Sequence, residues 1–189
     1  MLGSQHALPA AGEIGQTAAV TTERRDPPHQ APERDMLTAW LEYHRATLAI
    51  KCQGLTPDDM RERAVLPSSL TLLGLVRHMT EVERHWFRRT MAGEEGPPLY
   101  YSDDNPDGDF DDAGSADAVE GMARWHAECE HARQVVAAIG SLDDMQPGPG
   151  QGRAPVSLRW VLIHMIEEYA RHNGHADLLR ERIDGATGE

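Results

Sequence analysis

Four stretches of this 189-residue chain place apolar residues every three or four positions, and Gly- or Pro-bearing segments punctuate the intervals between them. That spacing is helical. No segment alternates polar and apolar residues long enough to suggest a sheet, and no internal repeat stands out. The chain is therefore expected to be all-α. The first stretch, ERDMLTAWLEYHRATLAIKC, spaces Met36, Leu37, Trp40, Leu41, His44, Leu48 and Cys52 helically, and QGLTPDD follows with a Gly stop and a Thr-Pro start signal. The second takes Ser68 or Ser69 as its N-cap and runs to Met91, ahead of Gly93 and two prolines. The third opens at Ser115 and carries Val119, Met122, Trp125, Cys129, Val136 and Ile139 before Gly140. The fourth runs for about seven turns from Ser157 to Gly185.

Four amphipathic helices of this length make a four-helix bundle, here over residues 33–185. Residues 1–32, rich in Ala, Pro, Gly, Gln and Thr, read as a disordered or extended tail, and 186–189 as a short C-terminal one. Between helices two and three, GEEGPPLYYSDDNPDGDFDDAGS (93–115) has loop composition and enough length to cross the bundle, which would leave those helices parallel. It reads as a solvated crossover, with a lid over a cleft as the alternative. Its aspartates lack the spacing of a calcium loop.

A formal charge of −13 with no basic stripe argues against a nucleic-acid partner. No apolar run reaches membrane-spanning length, so no membrane is expected. Two cysteines, Cys52 and Cys129, are too few for a disulfide framework and read as packed core residues. MLGSQHALPAAGEIG has neither a basic nor an apolar leader region. The expected address is cytoplasmic. Trp40, Trp86, Trp125 and Trp160, about one per helix, are expected to plug the core.

Polar residues interrupt the inward face of the fourth helix. With about 100° per residue and Glu168 as zero, His172 falls near 40°, His175 near −20° and His164 near −40°, beside Val161, Met165 and Leu179. Glu167, Asp177 and Glu181 point away. A carboxylate aimed at a core must be paired or bound to a cation, because burying it alone costs several kcal/mol. On the second helix His78 shares a stripe with Thr71, Leu75 and Val82, so it too points inward. Glu168 and His172 at i, i+4, joined by His78 from a facing helix, would give three ligands with open positions, suited to zinc or to non-haem iron.

The segments LLGLVRHMTEVERHWF (72–87) and LIHMIEEYARHNGHADLLRERIDG (162–185) resemble the DinB superfamily, in particular its actinobacterial branch, over roughly residues 33–185. The resemblance implies an up-down-down-up bundle that binds a divalent metal, zinc foremost, with nickel, iron or manganese as alternatives. His78 matches the first ligand, Glu168 the variable second and His172 the third. The E-x-x-x-H form is similar to that of mycothiol-dependent maleylpyruvate isomerase, and other relatives are bacillithiol or glutathione S-transferases. His175 stands where many members carry a glutamine, as an extra ligand or a group orienting one. The implied chemistry is metal activation of a small-molecule thiol such as mycothiol, which then attacks an electrophilic substrate. Water in the same position would give hydrolysis, with His175 and His164 as candidate catalytic proton carriers. Homodimers are common among the relatives. A second class of function is a non-catalytic, metal-stabilised bundle that binds a small molecule or a partner subunit.

Overall fold

A computed structural model describes residues 23–148 and 154–188, so the first twenty-two residues of the expected tail lie outside the described residues. The described chain is predominantly helical. Helix α1, Glu33–Cys52, follows Pro32, with Glu33 and Asp35 in its first turn and Lys51 in its last. Each charge opposes the nearer pole of the helix dipole. A single turn, α2 (Pro57–Arg61), is closed by a capping box in which Thr56 and Asp59 exchange hydrogen bonds.

Helix α3, Leu72–Glu83, is capped by Thr71, whose hydroxyl accepts the Gly74 N–H at 2.9 Å. The cap is thus neither Ser68 nor Ser69: Ser68 accepts the Leu70 N–H in the extended approach. The helix continues as a π-helical segment, Arg84–Met91, with Ala92 N–H reaching back five residues to Phe87. π turns insert an extra residue per turn and are frequent at functional sites. After a short α4 (Gly108–Asp111) and a tight turn over Asp112–Ser115, helix α5 runs Ala118–Ala138. Its cap is Asp117, which accepts the Val119 and Glu120 N–H groups, whereas Ser115 closes the preceding turn. A minimal antiparallel ladder joins β1 (Met145–Gln146) to β2 (Val156–Ser157). Two residues per strand are too few for an alternating pattern. Helix α6, Leu158–Asp184, begins at Ser157 and ends at Gly185 in the left-handed conformation, φ 77°, as its sequence signals indicate.

Helix α6 packs on α1 and α3, and α3 packs on α5. Leu48, Leu72, Val76, Leu158, Leu162 and Met165 are among the fully buried residues of the shared core. Through that core runs a polar chain with a member from each long helix. Arg45 of α1 donates two hydrogen bonds to Glu83 of α3, at 2.8 and 2.6 Å. Tyr169 of α6 donates to the same carboxylate at 2.7 Å and accepts from Trp125 Nε1 of α5 at 2.8 Å. Burial holds the Tyr169 phenol protonated, and the guanidinium of Arg45 neutralises Glu83. A buried charge satisfied on this scale avoids the desolvation penalty of an orphan one.

Two expectations are corrected. Trp125 plugs the core and the half-buried Trp86 packs against it, but Trp40 and Trp160 are 41% and 46% exposed. The crossover is docked and partly buried instead of solvated along its length. Arg77 of α3 donates to the Gly108 and Asp109 carbonyls at 2.8 and 2.9 Å and lies 4.2 Å over the Tyr100 ring. Glu81, one turn further, accepts the Leu99 and Tyr100 N–H groups. Both cysteines are buried as expected, and burial pushes the Cys52 thiol up to about 12.

Candidate metal centre

The i, i+4 pair on α6 and the inward histidine of α3 meet. One ligand atom from each of His78, Glu168 and His172 lies within 4.8 Å of the others. Glu168 Oε2 is 3.4 Å from His172 Nε2, and the His78 and His172 rings meet edge to face at 4.7 Å between centroids. His172 is buried, and the other two are half-buried. Burial, with the neighbouring His78 and His175, lowers the His172 pKa to about 4. Its imidazole is therefore neutral at any ordinary pH, and one of its ring nitrogens carries a lone pair.

His78 is held by a residue that the sequence did not single out. The buried Asp109 on α4 places Oδ2 2.8 Å from His78 Nδ1, which leaves Nε2 as the free donor atom. A carboxylate that accepts the distal N–H of a ligating imidazole fixes its tautomer and ring orientation. Phe110 stacks on the same ring at 4.9 Å. The Arg77 bonds to the Gly108 and Asp109 carbonyls hold both residues against α3. Gly108 has no room for a side chain: a Cβ would meet the Tyr100 carbonyl and the Asn105 amide. The turn signal NPDG marks where α4 begins, but nothing in loop composition announces a buried aspartate.

The two remaining histidines lie to either side. His175 Nδ1 is 3.4 Å from His172 Nδ1, outside the three-residue cluster. His164 Nε2 is 3.6 Å from Glu168 Oε1, so the Glu168 carboxylate lies between His164 and His172. His164 also stacks on Trp160 at 4.9 Å and meets the edge of Trp86. It forms a second grouping with Glu167 and Glu168, but Glu167 is exposed and paired to Arg171. Among the described residues, no helix is long and apolar enough to cross a membrane.

Two imidazoles and a carboxylate, drawn together between helices and steadied by a further carboxylate, fit the donor set of a divalent metal with open positions. The fold and cluster thus define a class, the helical proteins with a two-histidine, one-carboxylate site. Residues 36–185 match the mycothiol-S-transferase family, and the chain belongs to that family, within the DinB-like superfamily. No curated protein and no solved structure matches the chain.

Proposed function

We propose that this protein is a metal-dependent S-transferase that joins a low-molecular-weight thiol of the mycothiol type to an electrophilic small molecule. The observation that carries the reading is the convergence of His78, Glu168 and His172, with Asp109 orienting His78. Membership of the mycothiol-S-transferase family supports the thiol. His78 Nε2, a Glu168 oxygen and a His172 nitrogen would hold the ion, with zinc the first choice because two imidazoles and a carboxylate suit it. When bound, the ion supplies the positive charge that lets a coordinating thiol lose its proton near neutral pH.

The chain's own groups do the rest. Asp109 keeps the proton of His78 on Nδ1, so that Nε2 stays available. Glu168 offers one oxygen toward His172 and the other toward His164. His164 and His175, both half-buried, are the proton carriers, placed to pass the released proton outward. Phe110 stacks on His78 and covers one face of its ring. The reading takes residues 33–185 as one bundle in the up-down-down-up order.

The test is metal analysis of the purified protein beside His172→Ala, followed by an assay of thiol consumption. Wild type is expected to hold one divalent ion per chain, and the variant substantially less. Metal-loaded wild type should consume mycothiol in the presence of a chlorinated aromatic. Protein without stoichiometric metal after growth in metal-replete medium, or a thiol loss no faster than without protein, overturns the reading.

A further inference from the structure

A cleft of about 250 Å³ opens beside His78, between the π-helical segment and the crossover. Its walls are Val82, Trp86, Tyr101, Pro106 and Phe110, with His78 and Asp109 at the side of the metal cluster. The flat faces have a cause in the fold. Phe110 is held against His78 by the docking of α4, and Trp86 lies in the π-helical segment, its ring 5.0 Å from Trp160 and 4.9 Å from His164. An apolar cavity of roughly 150 Å³ can hold benzene, so this space suits one substituted ring.

Charge narrows the guest further. The lining includes three carboxylates, Glu81, Asp107 and Asp109, with the imidazoles of His78 and His85 and no lysine or arginine. The nearby cations are engaged elsewhere: Arg77 with the Gly108 and Asp109 carbonyls, and Arg84 with Glu128 and the Pro97 carbonyl. Glu81 and Asp109 are fixed by the Leu99 and Tyr100 N–H groups and by His78, while Asp107 is exposed. With part of the ion's charge balanced by Glu168, a carboxylate brought into this cleft would still face the three carboxylates of its lining, and such juxtaposition is repulsive.

We propose that the electrophile this enzyme accepts is a neutral, planar aromatic molecule that stacks in the cleft beside His78, and that anionic analogues are turned away. This inference rests on the transferase reading and specifies its acceptor. In the transfer, the thiolate sulfur uses a lone pair to form a C–S bond to the ring. The halide or equivalent leaving group departs with the electrons of its own bond, and the thiol proton goes to solvent.

Direct binding tests the assignment without relying on turnover. With the full-length, metal-loaded protein at a pH of about 8, where an unperturbed histidine is neutral, tryptophan quenching is titrated with chlorodinitrobenzene and with chloronitrobenzoate. The neutral compound is expected to bind at least about tenfold more tightly, and Trp86→Phe should remove most of the quenching. Exposed Asp107→Lys should improve chloronitrobenzoate binding several-fold and narrow its gap to chlorodinitrobenzene; an unchanged gap counts against the inference. Equal affinity for the two compounds, or undiminished quenching in Trp86→Phe, overturns the inference; should Trp86→Phe not fold, the Asp107→Lys comparison decides alone. Thiol consumption is measured separately. A selective cleft with no thiol consumption removes the transferase reading and leaves the ligand class standing, whereas thiol consumption with no selectivity does the reverse.

Discussion

Asp109 and His78, thirty-one residues apart in sequence, are joined by a 2.8 Å contact between a buried carboxylate oxygen and Nδ1 of the ring. That contact links the crossover to the candidate metal cluster. It leaves Nε2 as the nitrogen of His78 that Asp109 does not engage.

Replacing Asp109 with asparagine keeps the size of the side chain and removes its charge. The backbone carbonyl that Arg77 holds remains in place, so the loop should stay docked. Metal affinity is expected to fall by about 10–100-fold, the usual effect of losing an orienting partner. Competition with a chromogenic chelator measures it. An affinity equal to that of wild type would show that His78 needs no such support.

Gly108→Ala attacks the same link from the backbone side. The added methyl would collide with the Tyr100 carbonyl and the Asn105 amide, so the loop must shift away from α3. The expected result is weaker metal binding and faster amide exchange over residues 99–111, with little change at α1. Exchange rates that match wild type across the loop would contradict the packing described.

Acidification should loosen the metal-free protein through His172. Its folded pKa is lowered to about 4 from the ordinary 6.5, chiefly by burial and then by His78 and His175. Between those values the unfolded chain takes up a proton that the folded chain refuses. Stability is therefore complete above about pH 6.5 and is lost progressively as pH falls toward 4, with no further loss from this group below that. With screening allowed for, the loss is no more than about 2 kcal/mol. Urea titrations across this range, on wild type and on His172→Gln, would read it. An identical pH slope in both proteins would remove His172 as the cause.

Arg45→Met leaves Glu83 buried without its cation. Removing one partner of such a pair costs about 3–5 kcal/mol, or a melting temperature lower by roughly 10 °C in a chain of this size. Metal content should be unchanged, because Arg45 pairs with Glu83 and Glu42 and not with His78, Glu168 or His172. Calorimetry beside metal analysis separates the two effects. A variant that melts like wild type would mean that Glu83 is rescued by water or by protonation.

The helices were legible because burial imposes a period on sequence. The inward phase of Glu168, His172 and His175 on α6, and of His78 on α3, follows from counting residues; in the structure His172 is buried, the other three are half-buried, and Glu167, Asp177 and Glu181 are exposed. Caps were harder: Ser68, Ser115, Thr71 and Asp117 all have suitable side chains, and the local path of the backbone chooses among them. Asp109 was illegible for a deeper reason. Its burial depends on Arg77 and Glu81 capturing main-chain groups of a distant loop, and main-chain groups leave no mark in sequence. The tryptophans misled because their area suggests a core, while Trp86 and Trp160 instead form a half-open aromatic face beside His164.

Tyr169 follows Glu168 immediately in the chain, and its hydroxyl is gripped by Glu83 and Trp125. A helix anchored there cannot roll about its own axis, so the direction in which position 168 points is decided by its neighbour. The identity of the donor at that position is thereby separated from the task of aiming it. Another side chain placed at position 168 would point the same way, because Tyr169 preserves the aim.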